Sequence, residues 1–372
     1  MLRDNWQTKK LGEVLKLEYG KPLSKDERNN NGKYPVYGAN GIKNYSNKYF
    51  YNRPSIIVGR KGSAGEINLT KEKFWPLDVT YFVTFDDKKY DLKFLYNLLE
   101  TLELQKLAKG VKPGINRNNV YSIKVNIPSL PEQHRIIKIL DKVFGEIGKA
   151  KENTEKNLQN TKDLFESYLQ NVFKKPGEDW KEKRLRDVYD VRDGTHDSPK
   201  YHNQGYALIT SKNLKKDELD YKKIRYVSEK DYLRINERSK VHKGDILFAM
   251  IGTIGNPVVV KNDPNFAIKN VALFKIPKEQ DSYFLKYFLD SKFVIDKMTS
   301  EAKGTTQKFV GLGYLRDFKI KLPILSEQKS IVKKLDELNE KTKRLEEIYK
   351  QKLSNLEELK KSILKKAFEG NL

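Results

Sequence analysis

Two patterns of apolar and polar residues alternate along the chain. Short apolar runs separated by glycine-bearing turns predict strands, and two long stretches with apolar residues at steps of four and three predict helices. The helical stretches are one stretch written twice: IPSLPEQHRIIKILDKVF at 127–144 returns as LPILSEQKSIVKKLDELN at 322–339. A constant offset of 195 pairs Pro128 with Pro323, Gln133 with Gln328, Ile136 with Ile331, Leu140 with Leu335 and Asp141 with Asp336. The register runs without a gap to Phe173 and Phe368, which marks an internal duplication.

Pro131 with Glu132, and Ser326 with Glu327, supply helix-start chemistry, because they tolerate or satisfy unpaired N-terminal amides. The heptad seam predicted for the first helix is Ile136, Leu140, Val143 and Ile147, resuming at Leu158, Thr161, Phe165, Tyr168 and Val172. Between these parts Ala150, Thr154 and Asn157 form a polar stutter, where packing is expected to loosen. The second seam is Ile331, Leu335, Leu338, Leu345, Tyr349, Leu353, Leu356 and Ile363. Each helix should extend roughly 60 Å. Such a pattern serves either a dimerisation arm or a pair within one chain. The first helix ends where the second globular region begins, at Trp180, and the second begins where that region ends, which favours an intramolecular antiparallel pair. The resulting division is a first domain at 1–130, a helix at 131–175, a second domain at 176–325 and a final helix at 326–372.

The globular regions repeat more loosely. Trp6 and Trp180 each precede a basic run, a leucine-centred turn and a short strand ending at Gly20 or Gly194. A buried-type strand, a glycine loop and a second strand follow at 53–70 and again at 243–260, reading as hairpins. The loop glycines fit tight turns, and Arg60 and Lys61 suit phosphate or guanine contact. Helices are predicted at 91–107 and 281–299, each capped by its initial Asp. Polar loops at 108–119 and 302–308 share Ala-Lys-Gly, and strands at 123–127 and 318–322 lead into the long helices. The fold class is therefore α+β: two similar mixed domains and two long helices in a pseudo-twofold antiparallel coiled coil.

Charge narrows the function. Seventy-three Lys and Arg against fifty Asp and Glu leave a net +23, which argues for a polyanionic partner, most often nucleic acid, over a generally basic surface. Tyrosines interleaved with the cations, such as Tyr34, Tyr45 and Tyr49, fit a binding face or buried strands equally. No apolar run is long enough to span a membrane, no secretory segment follows Met1, and the lack of cysteine fits a reducing cytoplasm.

No catalytic or metal site is read. NDPNF at 262–266 has Asn265 where the second proline of an amino-methyltransferase motif belongs, and is taken as a turn. Neither Gly20-Lys21 nor Gly148-Lys149 has the upstream glycine of a Walker A loop. Glu358-Leu359-Lys360 lies in helical repeat, and His134, His196, His202 and His242 lack metal-ligand spacing.

Two diverged domains, each followed by proline, Glu-Gln and a long helix, resemble the specificity subunit of type I restriction-modification systems. The resemblance rests on YGANGI at 37–42, DGTHDSP at 193–199, and LPEQ and LSEQ at 130–133 and 325–328. The first domain has EYGKPLSK in place of DGTH. The resemblance implies a non-catalytic DNA-recognition subunit whose two domains each read half of a split duplex target. Its partners would be two methyltransferase subunits and, through the assembled complex, restriction subunits. S-adenosylmethionine, ATP and Mg would reside in those partners and no cofactor in this chain. Candidate DNA contacts in the first domain are Lys21, Arg60, Lys61, Ser63, Lys109, Lys112, Asn116, Arg117 and Asn118. In the second they are Thr195, His196, Lys212, Thr253, Lys303, Thr305, Thr306, Gln307 and Lys308. The candidate helix-pair interface is Ile136, Leu140, Val143, Ile147, Leu158, Phe165, Ile331, Leu335, Leu338, Leu345, Leu353 and Leu356, and the outward faces are candidates for a partner surface. The rival readings are a stand-alone DNA methyltransferase or nuclease and a basic coiled-coil scaffold.

Overall fold

The computed structural model describes residues 6–304 and 308–372, so the expected contacts Thr305, Thr306 and Gln307 lie outside the described residues. The chain forms two compact units, Met1–Glu155 with Gln351–Leu372 and Lys156–Lys350. Both long helices contribute to both units, since each half of a helix buries its apolar face against the domain beside it.

Unit 1 begins with β1 (Gln7–Lys10), α1 (Leu11–Val14) and β2 (Leu15–Tyr19), and continues through β3 (Tyr34–Gly38) and β4 (Gly41–Ser46). It goes on through β5 (Ser55–Gly59), β6 (Ile67–Thr70), β7 (Trp75–Pro76), β8 (Thr80–Phe85), α2 (Leu92–Thr101), α3 (Arg117–Tyr121) and β9 (Lys124–Ile127). Its main sheet is antiparallel in the order β2-β8-β5-β6. A three-stranded sheet, β4-β3-β7, and the pair β1-β9 complete it. The chain leaves the domain through α4 (Leu130–Lys174).

Unit 2 repeats the plan. β10 (Lys181–Arg184), β11 (Asp190–Asp193) and β12 (Tyr206–Ile209) precede the hairpin β13 (Leu214–Lys215) and β14 (Glu218–Leu219). β15 (Arg225–Val227), α5 (Glu229–Ser239), β16 (Ile246–Ala249), β17 (Gly255–Val259), β18 (Phe266–Ile268) and β19 (Val271–Lys275) follow. α6 (Ser282–Asp290), α7 (Lys292–Ser300), α8 (Leu312–Asp317) and β20 (Lys319–Leu322) lead to α9 (Leu325–Phe368). The sheet orders β11-β19-β16-β17, β15-β12-β18 and β10-β20 match those of unit 1 strand for strand, and the β13-β14 hairpin is an addition.

Central strands account for the apolar runs: every residue of β5 and of β16 is buried. Positive φ at Gly62, Gly65, Gly252 and Gly255 makes the two glycine loops tight turns, as their sequence predicts. Asp91 and Asp281 cap their helices through paired amide donors. Both helices are shorter than expected. The first ends at Thr101, with Glu103 at φ 46°, and the second breaks at Ser291, whose backbone is extended at φ −66° and ψ 135°. Ser291 is fully buried and donates its hydroxyl to Phe288 O, so the chain turns while the apolar spacing continues in α7.

The repeated Glu-Gln pair is a staple. Gln133, fully buried, accepts the Asp91 amide at 2.9 Å and donates to Lys89 O and Pro128 O, both at 3.0 Å. Gln328 does the same with the Asp281 amide, Pro323 O and Gln280 Oε1. In unit 2 the preceding Glu327 accepts the Trp180 indole N–H at 2.9 Å. One motif thus joins the start of a long helix to the cap of the domain helix. Gln328→Ala removes three hydrogen bonds and strands the half-buried Asp281 amide. A loss of about 2–4 kcal/mol is expected in thermal melting, against a negligible change for the exposed Gln351→Ala.

In unit 1 the start of α4 runs antiparallel to the end of α9. Arg135 donates to Leu372 O, Lys151 pairs with Glu357 at 2.7 Å, and Phe368 packs on Phe94 at 5.0 Å between centroids. In unit 2 Leu169, Phe173, Val332 and Leu335 enter one core with Phe284 and Phe288. The seam differs from the expected one in three respects. Ile136 and Leu140 are buried in the domain core together with Ile137, so the buried face is wider than a heptad stripe. Val143, Ile147, Leu158, Phe165, Ile331, Leu338, Leu353 and Leu356 are half-buried, but Leu345 is 39% exposed and is not an interface residue. At the stutter Thr154 stays packed, 1% exposed with its hydroxyl satisfied by Ala150 O at 2.6 Å, while Asn157 is exposed.

The added hairpin is tied down by charge. Asp217, at its turn, meets the buried Lys286 of α6 at 2.5 Å and Lys343 of α9 at 3.6 Å. Burial alone pushes the Asp217 carboxyl up, but the hydrogen bond and charge of Lys286, helped by Lys343, hold it below the usual range. Its contribution to stability is therefore present above the ordinary Asp range and lost as pH falls through the depressed value.

Candidate nucleic-acid interface

At one end of the main sheet of unit 1, β2 and β5 finish and β8 begins. The Gly20 amide donates to Thr80 O at 3.1 Å and the Lys21 amide to Pro76 O at 2.9 Å. A Cβ on Gly20 would lie 2.1 Å from Leu77 O, so only glycine fits this corner. The chain leaving β5 enters a second corner, where the Arg60 amide donates to Val79 O at 2.8 Å. The Arg60 guanidinium donates through Nε and Nη2 to Asp78 O at 3.0 and 2.7 Å.

The glycine loop and the Ala-Lys-Gly loop, far apart in sequence, are hydrogen-bonded together. Gly62 N donates to Pro113 O at 2.9 Å, and Ile115 N to Arg60 O at 3.0 Å. Reciprocal bonds of 3.0 Å between Lys109 and Gly114 close the second loop, with Lys112 near its tip. Asn116 then caps α3 by accepting the Asn118 amide at 2.9 Å, which gives it a structural role in addition to any contact. This cap positions Arg117, whose guanidinium lies 4.9 Å from the centroid of the Tyr19 ring, while that of Arg60 lies at 5.4 Å. Lys21, Arg60, Lys61, Ser63, Lys109, Lys112, Asn116, Arg117 and Asn118 are thus brought to one end of one sheet.

Unit 2 builds the same corner. The Gly194 amide donates to Val271 O at 3.0 Å and the Thr195 amide to Ile268 O at 3.1 Å. Thr195 thus stands where Lys21 stands in unit 1, so EYGKPLSK and DGTH occupy equivalent corners. Gly252 N donates to Lys308 O, Lys303 and Phe309 exchange backbone bonds of 3.0 and 2.9 Å, and Val310 N donates to Met250 O. The loops carrying Thr253, Lys303 and Lys308 are therefore paired as in unit 1. Ser211, beside Lys212, donates to Asn270 O at 3.2 Å, and the Asn270 amide donates to Thr195 O at 3.2 Å, which places Lys212 next to the Thr195 corner.

The side chains at the two corners differ. His196, 60% exposed at its side chain, bonds through Nε2 to Asp193 Oδ2 and through Nδ1 to Asn270 Oδ1, each at 2.8 Å. Arg238 of α5 pairs with the other oxygen of the buried Asp193. His196 is thus held in a structural network. Tyr19, Asn270 and Arg238 were missed in the sequence. Tyr19 reads as an ordinary strand residue, Asn270 lies on a left-handed turn at φ 54°, and Arg238 comes from a helix 45 residues beyond its partner.

Among the described residues, Lys21, Arg60, Lys61, Lys109, Lys112, Arg117, Lys212, Lys303 and Lys308 form no ion pair within 4.0 Å. Elsewhere on the surface some lysines are paired, among them Lys48, Lys93, Lys106, Lys151 and Lys319, and others such as Lys33, Lys73 and Lys142 are not, so what sets the loop cations apart is their clustering on hydrogen-bonded loops. Uncompensated cations on paired loops, repeated at the same sheet end of two diverged domains, define a two-domain DNA-reading protein.

The family model of the type I restriction modification DNA specificity domain matches residues 3–157 and 177–355. The chain belongs to that family, and its function is recognition of a DNA target. It is 26% identical to the type I restriction enzyme MjaVIII specificity subunit of Methanocaldococcus jannaschii, over 99% of this chain and 93% of that one. It is 24% identical to the EcoBI specificity subunit of Escherichia coli, over 87% and 75%. Among solved structures, it matches a chain from a study of complex assembly and conformational transition of the type I R-M system, with TM-score 0.76, 20% identity and full coverage of both chains. The HsdS subunit of Thermoanaerobacter tengcongensis matches with TM-score 0.63 and 19% identity, over 100% of this chain and 98% of that one. These two likenesses bear out the fold. No helix among the described residues is long and apolar enough to cross a membrane.

Proposed function

We propose that each unit lays the loop-bearing end of its main sheet on one half of a split duplex target. The observation that carries this reading is the run of uncompensated cations on hydrogen-bonded loops at that end in both units. Lysines on the loops meet phosphates and fix register, and the more rigid side chains between them read base edges. Diverged side chains on a shared backbone corner suit two unlike half-sites. The duplicated helices set the gap between the half-sites and dock two methyltransferase subunits, through which restriction subunits join.

In this reading the chain catalyses nothing itself and works in the cytoplasm. S-adenosylmethionine, ATP and Mg belong to the partner subunits. Selecting duplexes from a random library with the purified full-length chain tests the reading: a split motif with one fixed gap is expected, and a continuous motif would overturn it.

A further inference from the structure

We propose that Tyr19 organises Arg60 and Arg117 into a guanine-reading pair, so that the half-site read by unit 1 contains a guanine. The inference rests on the reading of the sheet ends as DNA-binding surfaces. Tyr19 is the last residue of β2 and is 47% exposed, with its ring against that of Tyr81 at 5.1 Å. Tyr81 is buried and donates its hydroxyl to Ile115 O at 3.2 Å, so the aromatic base of the arrangement is anchored in the core.

Both guanidiniums lie over the Tyr19 ring. A guanidinium held by its face against an aromatic ring keeps its N–H edge free for a planar acceptor. Arg60 is restrained further by its two bonds to Asp78 O, which leave the Nη1 donors available. Arg117 is fixed at its backbone as the first residue of α3, and among the described residues neither arginine meets a carboxylate within 4.0 Å. Two restrained and uncompensated guanidiniums match the paired O6 and N7 acceptors that guanine presents in the major groove. Lys61, Lys109 and Lys112 around them, and Lys21, whose ammonium lies 5.1 Å from the centroid of the Phe50 ring, are point charges that suit phosphates instead.

The same corner of unit 2 lacks this chemistry. There Asp193 occupies the strand end and takes up the charge of Arg238, leaving His196 and Asn270 at the surface. Among the described residues of unit 2 a single arginine, Arg225, lies over a tyrosine ring, that of Tyr201 at 4.5 Å, and the stacked pair is found in unit 1.

The test measures the affinity of the full-length protein for its selected target and for every single base-pair replacement of it. In one half-site, replacing a G·C pair should weaken wild-type binding about ten- to hundred-fold. Arg117→Lys and Tyr19→Leu should abolish that preference and leave the other half-site read as before, while Tyr19→Phe should retain it. A preference that survives Arg117→Lys would make the contact a phosphate contact and overturn the proposal, as would a target with no guanine in the affected half. If Tyr19→Leu melts early, Arg117→Lys decides alone. Loss of all sequence preference in the wild-type protein would instead remove the DNA-recognition reading on which the proposal rests.

Discussion

Leu335→Asp is expected to unfold most of unit 2 and to abolish co-purification with a methyltransferase subunit. Leu335 is fully buried among Leu169, Phe173, Phe284, Leu315, Phe318 and Val332, where α9 and the end of α4 meet the domain. Removing a buried leucine alone costs about 2–5 kcal/mol. A carboxylate left in that apolar core adds a desolvation penalty. The sum approaches the whole stability of an ordinary domain, about 5–15 kcal/mol. Leu345→Asp is the control, because Leu345 is 39% exposed on the same helix and its melting should not change. Thermal melting by circular dichroism separates the two variants, and equal melting of Leu335→Asp and the wild-type protein would contradict the core described for unit 2.

DNA binding is expected to collapse with salt. If the uncompensated lysines and arginines of both units together neutralise about six to ten phosphates, affinity should fall about 10³- to 10⁵-fold between 50 and 200 mM salt. The expectation depends on those cations having no carboxylate within 4.0 Å among the described residues, since a lysine already paired releases few counterions from DNA. A coiled-coil scaffold that is basic for unrelated reasons would bind duplex DNA weakly at every salt concentration. A titration of the full-length chain against duplex DNA at several salt concentrations distinguishes the two.

Much of this arrangement is legible in the sequence because it is periodic or repeated. The long helices emerge from the steps between Ile136, Leu140 and Val143, and the duplication from Gln133 and Gln328, whose buried side chains explain why that pair recurs. What the sequence conceals is tertiary. Nothing in the order of residues says that the loop at Gly62 will pair with the loop at Pro113, or that Arg238 will cross to Asp193. Tyr19 looks like any strand tyrosine until two arginines from distant loops lie over it. Heptad spacing likewise cannot tell a helix that packs only on another helix from one that also packs on a domain. That is why Leu345 is exposed and Ile137 is buried.

The central claim is that the two units read separate halves of one target. Selection of random duplexes by the wild-type chain and by a Lys303→Ala, Lys308→Ala variant tests it most directly. Both lysines lie on the paired loops of unit 2. The wild-type motif should be split, and the variant should lose preference in one half while the other half and the gap stay unchanged. Equal weakening across both halves, or a motif without a gap, would contradict the division of labour between the units.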